Sequence, residues 1–162
     1  MHMNAASATS VLYFLFSQHQ DAASQYRQIA GRLDDKTLSA YMHELENFHT
    51  NHSKAVRRVL DDMSPSPMPM PDNDQKKSLL NRKQSEVWDT IEQKEYQQLL
   101  EFSSDNEEAI SESYKTGLDN EALPEGIEKM IRELHQNVLK TVRQTERYKT
   151  VQDIQLGNIP SA

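Results

Sequence analysis

Histidines are the residues of this chain whose type and position suit chemistry best. Four of the six occupy positions where an amphipathic helix would bury apolar side chains, namely His19, His49, His52 and His135. Imidazole nitrogens bind iron, manganese or zinc, and they exchange protons near neutral pH. Carboxylates extend such sites, and Glu107 and Glu46 have suitable positions. The residue types therefore predict a polar layer inside a helical bundle.

Two helical segments carry three of these histidines. Apolar side chains recur at helical spacing from about residue 9 to residue 33, and His19 fills a gap in that stripe. The segment from about residue 36 to residue 63 has a heptad seam in which His49 and His52 take positions usually given to leucine. A pair of aspartates between the segments offers N-cap oxygens to the second helix.

A proline-rich stretch at residues 64–74 divides the chain. Its alternating prolines prevent a helix and favour an extended path. At about 3 Å per residue the stretch covers roughly 30 Å, whereas the preceding helix, at 1.5 Å per residue, is about 40 Å long. A connection of this length suits a crossover along a bundle, which distinguishes ferritin-like bundles from simple up-and-down bundles.

A third helical segment begins near residue 75. A break is predicted at residues 103–106, where Ser104 and Glu107 have the spacing of a capping box, and the helix is expected to end near Gly117.

The fourth helical segment opens at Leu123-Pro124, and its apolar pattern fades past Tyr148. One bundle is therefore expected over residues 1–149, followed by a flexible tail at 150–162.

The two predicted turns set the heights of the candidate residues. A turn after the first helix places His19 level with the stretch between His49 and His52. A turn before the last helix places His135 level with Glu107. Because the crossover sets the two turns at opposite ends of the bundle, the five side chains are expected within about one helical turn of mid-height.

Two interpretations of this layer stay open. Its imidazoles and carboxylate would suffice for one transition-metal ion, Fe, Mn or Zn. A hydrated, hydrogen-bonded layer that fixes helix register requires the same residue types. Glu46 and His49 have the E-x-x-H spacing of di-iron bundles, but a second such pair and a glutamate on the first helix are missing. The sequence therefore argues against a standard di-iron oxidase centre.

Composition argues against several other classes of function. The chain of 162 residues has no cysteine, which excludes disulfides and thiol chemistry. Its net charge of −7 argues against nucleic acid binding, and its longest apolar run, residues 11–16, is too short to cross a membrane. A cytoplasmic protein without nucleic acid or membrane partners is expected, and a homodimer stays open.

Several stretches resemble a known family. They are Trp88, Leu99-Leu100, Asn106-Glu107-Glu108-Ala109 with Tyr114, Leu123-Pro124, and Asp21 with Tyr26. They are similar to a bacterial ferritin-like four-helix-bundle family of unknown function, whose Gly-Glu-Asp core is followed by a tyrosine seven residues after the glutamate. The family usually has a glutamine near His135 and a histidine near Arg143, and this chain departs at both. The resemblance implies the fold and an association with stress, but no established activity.

The sequence as a whole predicts an all-α, ferritin-like four-helix bundle of two antiparallel hairpins joined by a long crossover. Phe48 and Trp88 are expected to be largely buried. The expected function is that of a non-catalytic bundle whose central layer is structural or weakly metal-binding. A metalloprotein with oxidase-like or metal-handling activity and a dimeric protein-interaction bundle are the alternatives.

Overall fold

Helices make up nearly all of the described chain. The computed structural model describes residues 5–63, 77–120 and 123–155. Its helices are α1 (Ala5–Arg32), α2 (Lys36–Met63), α3 (Leu79–Arg82), α4 (Gln84–Glu92), α5 (Tyr96–Asn120) and α6 (Glu125–Gln155). No strand occurs in these three ranges, which confirms the prediction of an all-α protein. The proline-rich stretch at 64–74 lies outside the described residues, so its path stays a prediction.

A short turn joins α1 to α2, and Asp35 fixes it. The Asp35 side chain accepts a hydrogen bond from the backbone N–H of Leu38 at 2.9 Å, which satisfies a donor in the first turn of α2. Ser39 donates from its hydroxyl to the carbonyl oxygen of Ala30 at 2.9 Å. These two bonds tie the start of α2 to the end of α1.

Contacts between the four long helices follow a regular order. As residue numbers rise along one helix of a pair, the numbers of their partners fall. The pairs are Ala30 with Ser39 and His19 with His49 in α1 and α2, Glu101 with Lys149 and Ser111 with His135 in α5 and α6, and His19 with Tyr114 and Tyr26 with Glu107 in α1 and α5.

The short helix α3 is anchored to α1 and α5. Asp21 on α1 accepts hydrogen bonds from the backbone N–H of Ser78 and from the side-chain amide of Asn81, both at 2.7 Å. The Asn106 side chain on α5 accepts from the backbone N–H of Leu80 at 3.3 Å. These contacts hold the start of α3 against α1 and α5.

The predicted helix break at residues 103–106 is wrong, because α5 runs unbroken through it to Asn120. Ser104 does not cap a helix, since its hydroxyl donates to Glu146 on α6. The three-residue spacing of a capping box also places two side chains on the same face of a continuous helix. Ser104 and Glu107 share one face of α5 for this reason, and both are buried.

The actual break lies between α4 and α5. Lys94 adopts a left-handed conformation with φ 57°. Its N–H bonds the carbonyl of Ile91, and the N–H of Glu95 bonds the carbonyl of Thr90, both at 3.0 Å. This pattern is a Schellman motif, which usually has glycine at the left-handed position. Lysine there gave no turn signal in the sequence.

Phe48 and Trp88 pack against the core, and part of each ring stays exposed. Trp88 lies beneath the Arg32 guanidinium, whose carbon is 4.0 Å from the ring centroid. Phe48 stacks on His52 with ring centroids 4.0 Å apart. Each ring thus packs against the core on one side and is covered by a neighbouring polar side chain on the other.

α6 continues past the point where the sequence pattern fades. It extends to Gln155, beyond Tyr148. Lys149 holds this end against α5 through a hydrogen bond to Glu101 at 2.8 Å. Residues 156–162 lie outside the described residues, so a tail beyond α6 stays a prediction.

Replacing Lys94 by glycine should stabilise the protein. A left-handed conformation costs an L-residue roughly 1 kcal/mol, and glycine avoids that cost. Chemical denaturation of Lys94→Gly should show a gain of about 0.5–1 kcal/mol in the free energy of unfolding. The control is Lys115→Gly, at an exposed position inside α5, which should lose about 1 kcal/mol. A loss in both variants would contradict the left-handed turn.

Candidate functional site

A buried carboxylate lies where the four long helices meet. Glu107 projects from α5 and is 0% exposed. Each of the other long helices supplies it with one hydrogen-bond donor. His49 on α2 approaches through Nε2 at 2.8 Å, and Tyr26 on α1 donates its hydroxyl at 2.7 Å. The Thr141 hydroxyl on α6 lies 2.8 Å from the carboxylate and 2.6 Å from the Val138 carbonyl oxygen, so these two acceptors share its proton. A buried charge must be paired in this way to be tolerated.

The hydrogen bonds continue from His49 back through α1 to α5. His49 Nδ1 lies 2.8 Å from His19 Nδ1, and His19 Nε2 lies 2.6 Å from the Tyr114 hydroxyl oxygen. All three side chains are 0% exposed. Tyr114, His19, His49 and Glu107 thus form one continuous array, here called the buried chain.

Hydrogen-bonding capacity fixes the direction of the buried chain. Within the described residues, the Tyr114 hydroxyl bonds His19 alone, so it must donate there to avoid an unpaired buried proton. His19 accepts at Nε2 and, as a neutral ring, donates from Nδ1. His49 therefore accepts at Nδ1 and donates from Nε2 to Glu107. These tautomers follow from the hydrogen-bond network.

Burial and hydrogen bonding set the charges of this chain. Burial alone would raise the pKa of Glu107, but the electrostatic interaction with His49 and the hydrogen bonds from its donors outweigh burial and hold that pKa below its ordinary value. Burial, aided by His49 and His52, lowers the pKa of His19 well below 6.5. Burial raises the pKa of Tyr114. At neutral pH the carboxylate is therefore ionised, the His19 imidazole neutral and the phenol protonated.

His52 lies beside the buried chain without bonding to it. Its ring centroid is 5.4 Å from that of His19, and its Nδ1 bonds the carbonyl oxygen of Phe48 at 3.0 Å. Its Nε2 is buried and has no partner among the described residues. Burial lowers the pKa of His52, so the ring stays neutral near physiological pH.

His135 and Glu46 form no hydrogen bond with the buried chain. His135 bonds the Ser111 hydroxyl through Nε2 at 3.0 Å, one helical turn from Glu107, and stacks on Tyr114 with ring centroids 5.6 Å apart. His135 was predicted to lie level with Glu107, but Thr141 occupies that position instead. Glu46 bonds the exposed His43 at 2.9 Å.

Two tyrosines of this site, Tyr26 and Tyr114, were not among the predicted site residues. Tyr26 lies seven residues after His19, and Tyr114 lies seven residues after Glu107. Seven residues are two helical turns, so each tyrosine shares a face with a polar residue of the layer. That spacing is the signal that could have identified them. Thr141 gave no comparable signal.

The hydrogen bonds of the site occupy the nitrogens that a metal ion would need. His19 and His49 each use both ring nitrogens. In the parts of the chain that the structure describes, no group of three or more His, Asp or Glu side chains is arranged to hold a metal ion. Metal binding would therefore require these side chains to rearrange, with Nε2 of His52 as an available ligand.

Ser111 and His135 place a hydroxyl beside an imidazole, as a serine nucleophile requires. Ser111 lies in the interior of α5, however, where backbone N–H groups are bonded within the helix. Acyl transfer also needs free donors for the developing oxyanion, and an unbroken helix offers none beside this residue. The pair therefore does not make an acyl-transfer site.

Acid should destabilise the protein through His19. Because its native pKa is lowered, the unfolded chain takes up a proton near pH 6.5 while the native protein does not. The free energy of unfolding should fall below about pH 6.5, by up to about 1.4 kcal/mol per pH unit for one proton. Glu107 adds to this effect at lower pH, since its stabilisation is lost as pH falls through its lowered native pKa.

Urea denaturation at several pH values would measure this dependence. His19→Gln should reduce the proton uptake on unfolding by about one. The matched control is His43→Gln, at an exposed position outside the buried chain, which should leave that part of the slope unchanged. An unaltered slope in His19→Gln would contradict the assignment.

Comparison with known proteins leaves the resemblance to a ferritin-like family as a prediction. The chain matches no protein-family model and no curated protein. None of the helices in the described ranges is long and apolar enough to cross a membrane.

Proposed function

We propose that this protein is a non-catalytic, ferritin-like four-helix bundle in which the buried chain fixes the register of the helices. The observation that carries the proposal is the set of donors around Glu107, one from each of the other long helices. A shift of any helix by one turn, about 5.4 Å, would leave the buried carboxylate without that donor. Buried polar groups of this kind select one packing among several.

The order of helix contacts supports the ferritin-like arrangement. α1 is antiparallel to α2 and to α5, and α5 is antiparallel to α6, by the residue pairs given above. α2 and α5 are therefore parallel, although they are consecutive long helices. A parallel pair requires a connection along the length of the bundle, which is the role expected of residues 64–74 together with α3 and α4.

Glu107→Leu tests the register function directly. The substitution leaves the buried donors of His49 and Tyr26 without the carboxylate and should cost about 2–6 kcal/mol, at about 1–3 kcal/mol for each unsatisfied donor. Thr141→Val, which removes one donor at constant shape, should cost about 1–2 kcal/mol. The control Glu108→Leu alters an exposed neighbour on α5 and should change stability by less than about 0.5 kcal/mol.

Loss of register should be visible apart from loss of stability. Glu107→Leu and Thr141→Val should keep their far-ultraviolet helical signal, while the dispersion of methyl resonances falls as the helices sample several packings. If both variants keep sharp, dispersed spectra and native stability, the buried chain does not set the register.

A second candidate function is metal binding, and the unpartnered Nε2 of His52 favours it. Rotation of His19 and His49 toward His52 would bring three imidazoles together, a ligand set suited to zinc, iron or manganese. Bound metal would raise the melting temperature by mass action, and a concentration of 100 times Kd adds about 2.7 kcal/mol.

Thermal denaturation of chelator-treated protein separates the two functions. If the layer is structural, added Zn²⁺, Mn²⁺ or Fe²⁺ should leave the melting temperature unchanged. If the layer binds metal, the melting temperature should rise, and His52→Leu should abolish the rise. His43→Leu is the control for binding of metal at the surface, since His43 is exposed. If the melting temperature rises with added metal and the rise depends on His52, the structural function is wrong and the metal-binding function is supported.

A further inference from the structure

Tyr114 has the surroundings of a tyrosine that can be oxidised by one electron. An oxidised phenol becomes a very strong acid, so its oxidation is easiest when a base already accepts its proton. The Tyr114 hydroxyl donates to Nε2 of His19 at 2.6 Å, and both side chains are 0% exposed. The short bond lets the proton move while the heavy atoms stay in place.

The buried chain offers a path for that proton and a charge to balance it. A proton gained at His19 Nε2 can be followed by transfer of the Nδ1 proton to His49, 2.8 Å away. His49 can in turn pass its Nε2 proton to Glu107, also 2.8 Å away. Every hydrogen bond is kept with its direction reversed, and the ionised carboxylate becomes neutral. The site therefore carries one negative charge before oxidation and none after it.

We propose that Tyr114 is a redox-active residue that gives one electron to a radical oxidant outside the protein while its phenolic proton passes to His19. The oxidant is an oxygen- or nitrogen-centred radical, which is reduced to its anion. The O–H bond of Tyr114 breaks and an N–H bond forms at His19 Nε2. The product is a neutral phenoxyl radical that accepts a hydrogen bond from His19.

Burial suits this activity. Electrons tunnel through packed protein, so an oxidant need not reach the phenol. The half-buried ring of His135 stacks on Tyr114 with ring centroids 5.6 Å apart and only 4° between the planes, so an aromatic ring connects the phenol toward the surface. Because Tyr114 is fully buried, two such radicals cannot meet and couple. The radical should therefore outlive one on an exposed tyrosine.

Tyr26 is the rival within the same site. Its hydroxyl donates directly to Glu107 at 2.7 Å. The Asn106 side-chain amide donates to the Tyr26 hydroxyl oxygen at 3.3 Å, whereas the Tyr114 oxygen accepts no hydrogen bond from the described residues. That hydrogen bond withdraws electron density from the Tyr26 phenol and opposes its oxidation, so the radical should settle on Tyr114.

Radicals produced by pulse radiolysis would test the proposal. Azidyl is the probe oxidant, and the parent protein carries Trp88→Phe so that indole oxidation does not overlap. The parent should form a long-lived phenoxyl radical, seen by optical absorption and electron paramagnetic resonance. Tyr114→Phe should lose that species, whereas Tyr26→Phe should retain it. The same long-lived signal in Tyr114→Phe would overturn the proposal.

The role of His19 has its own readouts. His19→Gln should slow the formation of the radical about 100-fold, the scale of a positioned base, and should also shorten its lifetime. It should also shift the high-field resonance spectrum toward that of a phenoxyl without a hydrogen bond. His52→Gln is the control, because His52 lies beside the chain without bonding to it. Unchanged formation rate, lifetime and spectrum in a folded His19→Gln protein would overturn the assignment of His19 as proton acceptor.

Discussion

A carboxylate in the middle of an apolar bundle is the constraint on which the rest of this structure depends. Glu107 is fully buried and ionised, and such a charge is tolerated only when donors surround it. Its donors come from three different helices, so no helix pair satisfies it alone. Because His49 donates its Nε2 proton to Glu107, its neutral ring can only accept a hydrogen bond at Nδ1. His19 supplies that hydrogen bond. This series of hydrogen bonds ends at Tyr114, whose hydroxyl donates to His19.

Local patterns in the sequence were enough to predict α1, α2 and the turn between them. The turn between α1 and α2 is short and capped by Asp35, so counting residues from it placed His19 correctly beside His49. The same counting failed for His135. The turn between α5 and α6 was predicted near residue 121, and an error of about three residues in that position moves the partner of Glu107 by nearly two helical turns, from His135 to Thr141.

Other features could not be read from residue types at all. The left-handed turn at Lys94 contains no glycine or asparagine that would predict it. It is held by hydrogen bonds from the backbone N–H groups of Lys94 and Glu95 to carbonyl oxygens of α4. Likewise, a layer of histidine and glutamate side chains has the same composition whether it binds a metal ion or is only hydrogen-bonded internally. The distinction depends on which ring nitrogens already have partners, which is a property of side-chain geometry and not of spacing.

The single tryptophan reports on a part of the molecule away from the buried chain. Trp88 belongs to α4 and lies beneath Arg32, at the end of α1. Its emission therefore follows the docking of α4 against α1, while the ellipticity of the chain is dominated by the four long helices. The two optical signals monitor different parts of one domain. If α4 detaches first on heating, the fluorescence transition will precede the circular dichroism transition, and the gap between them will measure how cooperatively the short helices are held.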